Sequence, residues 1–234
     1  MPYRDLEKKP EALNSYLVLA AAALFSAVAG FVNLVLLEAT RMTLSHMTGN
    51  VARLSEALFR GSEISSLHFL VIIFCFLFGA MLTGFVLADQ HFGPRRLYGA
   101  LMIVEGLVLL IAAAAFENSV WTTVYLVSFA MGQQNAMASS FKGLIVRTTH
   151  MTGILTDLGF LLGSFLKTRR FVYWRVGFFM ILLSGFFMGG WLGLISYQTL
   201  KIKSLFFPGS ILLILGLFDI LYIYNLNSRS HNKA

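Results

Sequence analysis

Two short runs of this chain carry the same chemistry. They are Ser45-His46-Met47-Thr48-Gly49-Asn50 and, in the second half, Thr149-His150-Met151-Thr152-Gly153. Each Thr-Gly pair reads as the opening of a helix: the hydroxyl can cap the first amides, and glycine lets a ligand approach the backbone. A helix start inside a membrane presents free N–H groups and the positive end of its dipole, which suits an anion. Arg41 and Arg147 stand just upstream and would add charge-assisted contacts. The competing reading is that Thr-Gly caps an interfacial helix and glycine allows close packing. Recurrence of the pair is what raises binding to a serious alternative.

His46 and His150 could relay protons or take a metal, because imidazole titrates near neutrality. With no clustered cysteine or adjacent carboxylate they make a poor zinc site, so a hydrogen bond across helices is favoured and no metal is expected. Glu105 and Asp219 sit inside apolar runs. An aspartate at a bilayer centre costs roughly 2.5–3.5 kcal/mol on insertion scales, so proton or cation coupling is the favoured role. The alternative is a neutral acid bonded to a neighbouring helix. Asn33, Gln133, Gln134 and Asn135 place amides in the first and fourth apolar runs, where they glue helices together or line a polar cavity. No phosphate-binding glycine loop, cysteine cluster or Ser-His-Asp set is present, so the expectation is no enzyme, no catalytic residue and no cofactor.

The elements that must hold these residues are apolar helices. Hydrophobic residues make up 57% of the 234, charged residues only 12%, and the mean hydropathy is +0.75. A soluble domain carries roughly a quarter charged residues. The net charge of +7 does not indicate nucleic acid, because the basic residues flank apolar runs instead of forming a patch. Cys75 is the single cysteine, so an intramolecular disulfide is excluded. Six runs, 16–37, 67–87, 97–116, 120–141, 173–200 and 205–224, are each long enough to cross a bilayer. The first is too long for a signal-peptide core and is expected to be retained. Two stretches, 38–61 and 142–170, are too polar for spans and too apolar for loops; they read as re-entrant or interfacial half-helices. With the amino terminus inside, twelve Lys and Arg fall on the inner side and five on the outer, which places both termini in the cytoplasm.

The chain also repeats itself. Asn33 precedes His46 by 13 residues, and Asn135 precedes His150 by 15. Gly79 follows His46 by 33, and Gly185 follows His150 by 35. Pro94 precedes Glu105 by 11, as Pro208 precedes Asp219. Three spans per copy is an odd number, so the second copy would enter the membrane upside down, as in many secondary transporters.

The stretches Gly30-Phe31-Val32-Asn33, His46-Met47-Thr48-Gly49-Asn50, Gln134-Asn135-Ala136 and Arg147-Thr148-Thr149-His150-Met151-Thr152-Gly153 resemble the YoaK family of bacterial membrane proteins, also catalogued as DUF1275. The resemblance covers nearly the whole chain and implies a bacterial inner (cytoplasmic) membrane location, but supplies no function. Asn33 departs from the pattern, standing where many members carry Asp. Any ion-coupling role of that acid would be absent here.

The expected fold is an all-α integral membrane protein forming one domain, 1–234. It has about six transmembrane helices in two inverted three-helix repeats, 16–116 and 120–224, each with a broken half-helix. The expected function is secondary transport of a small anionic solute coupled to protons. The rival is a non-transporting scaffold or a sensor of a ligand or lipid. The partners expected are the lipid bilayer and an unnamed solute, with no nucleic acid; a homo-oligomer stays open.

Overall fold

The computed structural model describes residues 16–87, 96–139 and 149–231. Among these there is no strand. The helices are α1 (Tyr16–Thr40), α2 (Met47–Phe59), α3 (Glu63–Leu87), α4 (Arg96–Ala115), α5 (Val120–Ser139), α6 (Met151–Thr168), α7 (Tyr173–Leu200) and α8 (Phe206–His231). A 3-10 turn, Lys201–Leu205, joins the last two.

Among the described residues four segments are long and apolar enough to cross a membrane: Val18–Thr40, Glu63–Leu87, Leu97–Ala115 and Tyr173–Tyr224. The last holds both α7 and α8. Large apolar side chains point outward along them, among them Phe74, Phe78 and Phe85 on α3, Phe187 and Trp191 on α7, and Ile214 and Phe218 on α8. Such a surface suits acyl chains, not water. Helix α5 is not among the four. It is buried along most of its length, with Ser128, Gln133, Gln134 and Asn135 turned inward among neighbours. A helix surrounded by protein can carry amides that a lipid-facing helix cannot, and those amides lower its hydropathy.

Glycine sets how closely the helices approach. Helix α1 packs most heavily on α7, α3 on α5, and α4 on α8. Between α1 and α7, a Cβ on Gly189 would overlap the Ala27 carbonyl, and one on Gly30 would overlap the carbonyl of Phe186. Between α3 and α5, a Cβ on Gly79 would overlap the Phe129 carbonyl, and one on Gly132 that of Phe76. The same four-point contact is therefore made twice. At these crossings only a hydrogen fits against the neighbouring backbone, the small-residue packing typical of helices in lipid.

The contacts also fix direction. Gly185, Gly189 and Gly193 meet Ala23, Ala27 and Phe31 in order, so α1 and α7 run parallel. Gly79 meets Phe129, and the Thr83 hydroxyl donates to the Gln133 carbonyl at 3.1 Å, so α3 and α5 are parallel too. Gly99 meets Gly216 while Gly106 meets Gly209, so α4 and α8 are antiparallel.

These contacts correct the register read from the sequence. In the paired crossings Gly30 matches Gly132, 102 residues on, whereas Gly79 matches Gly189, 110 residues on, and not Gly185. The starts of α3 and α7, and of α4 and α8, also differ by 110. Two of the eight extra residues lie between Asn135 and His150 and the other six in and just after α6, which runs 18 residues against 13 in α2. On that register Glu105 matches Leu215 and Asp219 matches Leu109, so the equal spacing of the two acids from Pro94 and Pro208 does not place them at matching positions. Pro94 itself lies outside the described residues.

Candidate functional site

The two His-Met-Thr-Gly runs do open helices, but the residue standing at the cap is histidine. His46 precedes α2 with φ −95° and ψ 75°, and His150 precedes α6 with φ −87° and ψ 60°. Neither makes a side-chain cap bond, and Thr48 and Thr152 fall inside the first turn instead of capping it. The His46 carbonyl accepts from the Gly49 and Asn50 amides, and the His150 carbonyl from Ile154.

What holds each helix start in place is an asparagine. The Ser45 hydroxyl donates to Asn33 Oδ1 at 2.7 Å, and the Thr149 hydroxyl donates to Asn135 Oδ1 at 2.7 Å. Each asparagine then donates Nδ2 to the carbonyl four residues back in its own helix, Ala29 at 2.7 Å and Met131 at 2.9 Å. The result is a latch that pins the residue before each histidine to the interior of α1 or α5. All four latch side chains are buried. The latches also approach each other, since Asn33 Nδ2 lies 4.0 Å from the sulfur of Met131, whose carbonyl takes Asn135.

The latches give the half-helices their depth. Asn33 lies two turns inside the end of α1, so Ser45 and His46 have been drawn back along that helix, roughly 10 Å from Thr40 at 1.5 Å per residue. The His46 ring stacks 6.5 Å from Phe186, the residue whose carbonyl faces Gly30 near the middle of α1. Helix α2 then passes the end of α1, where the Arg53 guanidinium donates to the Arg41 carbonyl at 3.4 Å, and is followed by Gly61 with a left-handed φ of +66°.

The residues singled out in the sequence thus divide into two groups. Asn33, Asn50, Gln134 and Asn135 are buried and tie elements together: Asn50 donates to the Thr43 carbonyl at 3.2 Å, and Gln134 to that of Phe25 at 3.0 Å. His46, Thr48, Gly49, His150 and Thr152 are exposed at the helix starts, with Gly153 partly so. The starts differ in one respect. A Cβ on Gly153 would overlap the His150 ring, which folds over the first turn of α6, whereas Gly49 has open space around it. Arg41 is not brought to the helix start; it ends α1 with φ +59°, exposed, and pairs with Glu38 at 3.3 Å. Arg147 lies outside the described residues.

Glu105 is fully buried on α4, and neither carboxylate oxygen has a hydrogen-bond partner. Asp219 on α8 lies against Gly99 of α4, where a Cβ would come 3.0 Å from its Oδ2, and that oxygen has no hydrogen-bond partner. Among the described residues no group of three His, Cys, Asp or Glu side chains could hold a metal ion.

Sequence reasoning passed over Ser45 and Thr149 as latch donors. It also passed over His68 on α3, which bonds the Tyr125 hydroxyl and stacks on Trp121, both from α5. A histidine within an otherwise apolar run was the available signal. Between α2 and the start of α3, a cleft of about 410 Å³ is lined by Arg53, Glu56, Arg60, Ser62, Ser65 and Phe69. Lys203 pairs with Glu117 at 3.2 Å and so brings the α7–α8 turn to the end of α4.

Set against known proteins, residues 21–218 match the family model described as "Protein of unknown function (DUF1275)". No curated protein and no solved structure matches the chain.

Proposed function

The chain belongs to the DUF1275 family, and from that premise we propose that it is a secondary transporter of a small solute, built from two inverted repeats. The observation that carries the proposal is the pair of latches, in which one bonding pattern holds two half-helix starts inside the bundle. Exposed Thr48-Gly49 and Thr152-Gly153, with His46 and His150, are then the solute-facing groups, and the positive end of each helix dipole favours an anion.

Helix directions support six spans with half-helices that do not cross. If α2 and α6 both turn back, α1 and α7 run the same way, α3 and α5 the same way, and α4 and α8 opposite ways, as their contacts require. If both crossed, α4 and α8 would be parallel. If only one crossed, α1 and α7 would be antiparallel. On this reading repeat 1 (16–116) and repeat 2 (120–224) lie upside down to one another. The α1–α7 and α3–α5 pairs belong to the moving interface, and rocking of one against the other alternates access. The excess of basic residues on the inner side supports cytoplasmic termini in a bacterial inner membrane.

A thermal-shift panel of small anions on the purified protein, run beside a T48V/T152V double variant, tests the assignment. We expect at least one anion to raise the melting midpoint of the native protein and not that of the variant. Identical profiles for the two would remove the helix starts from binding and favour the scaffold.

A further inference from the structure

The chemistry at the helix starts leaves a second set of polar groups unexplained. Four fully buried oxygens, Glu105 Oε1 and Oε2, Gln133 Oε1 and Gln134 Oε1, have no hydrogen-bond partner. Buried polar atoms are nearly always satisfied, so unpartnered ones call for a missing donor or ion. All four are acceptors when the acid is ionised. Both glutamine nitrogens are already committed, Gln133 Nε2 to the Leu101 carbonyl at 2.6 Å and Gln134 Nε2 to that of Phe25. Those bonds fix which end of each amide is nitrogen and leave each oxygen free.

The register of α4 against α5 brings these groups to within about one helical turn of one another. The Thr123 hydroxyl donates to the Ala112 carbonyl at 2.8 Å, and Gln133 to that of Leu101, so the two helices run antiparallel. Between those ties Glu105 comes opposite Phe129 and Ala130. Gln133 and Gln134 follow Ala130 by about one turn of α5, and Leu101 precedes Glu105 by one turn of α4. Leu101, Glu105, Leu109 and Ala112 share the buried stripe of α4, so the carboxyl is on the side where α5 packs.

We propose that Glu105, with the side-chain oxygens of Gln133 and Gln134, forms a buried site for one monovalent cation, a proton or an alkali-metal ion. Oxygen-only donors suit a hard cation. One carboxylate among neutral amides balances a single positive charge, and a second charge would be left uncompensated in an apolar interior. Other titratable groups on the elements packed against α4 are engaged elsewhere or stand at the bundle ends. His68 holds Tyr125, Lys203 holds Glu117, Lys201 lies over Tyr197, and Asp219 lies against Gly99, six residues from Glu105. Cys75 on α3 is a free thiol and does not bond the acid. The site deepens the carrier reading by supplying a coupling ion, but its test reads binding alone and does not depend on transport.

The purified full-length protein and E105Q are melted in equal concentrations of sodium, potassium and choline chloride, across pH 5.5 to 8.5. Stabilisation by several degrees in sodium or potassium over choline, present in the native protein and absent from E105Q, assigns an alkali-metal ion. No salt preference, with the native midpoint falling relative to E105Q as pH rises, assigns a proton. Equal salt and pH responses in both proteins overturn the site. Should E105Q fail to fold, modification of native Glu105 by a hydrophobic carbodiimide, read by mass spectrometry, decides. The rate is expected to fall with added alkali-metal ion or with rising pH, and a rate indifferent to both overturns the proposal.

Discussion

Asn33 and Asn135 each accept a hydroxyl from the loop and donate into their own helix, and so fix where a broken helix begins. Removing the donor leaves a buried amide oxygen without a partner. For Thr149→Val, which keeps the side-chain shape, we expect a loss of about 1 kcal/mol, the scale of intramembrane hydrogen bonds. It would be read as a lowered melting midpoint in detergent, with Ser45→Ala giving a similar drop. The helix starts should differ from each other: Gly153→Ala must displace the His150 ring, while Gly49→Ala meets nothing within 4 Å. Melting midpoints of the two variants, with only the first lowered, would bear this out. The residue types at this site were legible in the sequence, because intramembrane amides and histidines are costly and stand out. Their division into buried ties and exposed helix starts was not, since it depends on which hydroxyl reaches which amide.

Between elements the decisive residues are glycines whose hydrogen faces a carbonyl. Gly30, Gly79, Gly132 and Gly189 lie at the two repeated crossings, where an added methyl would force helices apart. Gly30→Ala and Gly132→Ala should therefore both reduce folded yield severely, while Gly84→Ala, with open space around it, should leave yield and melting point unchanged. Size-exclusion profiles after detergent extraction would show the contrast. The long apolar helices were evident from hydropathy, and so was the interrupted character of α2 and α6. Register was not. The spacing that linked Glu105 with Asp219 breaks down because its two prolines are not equivalent: Pro94 stands two residues before the start of α4 and Pro208 two residues after the start of α8, a mismatch of four visible only once the helix starts are known. Helix α5 shows the converse: its amides make it look least like a span, and it carries them because it is enclosed.

At the scale of the whole molecule, the account rests on half-helices that enter from opposite ends and return. The ion pair of Lys203 with Glu117 already joins the α7–α8 turn to the end of α4, and α2 ends beside the start of α3. Six spans with two re-entrant elements put Ser62 and Lys203 on one side of the membrane and Lys167 on the other. The most direct measurement uses a Cys75→Ser background with single cysteines at these three positions, labelled in sealed vesicles by a membrane-impermeant thiol reagent. The account predicts that Ser62→Cys and Lys203→Cys react from the same side and Lys167→Cys from the opposite one. Labelling of Ser62→Cys and Lys203→Cys from opposite sides would contradict it, because a half-helix would then cross and the inverted pairing of the two halves would be lost.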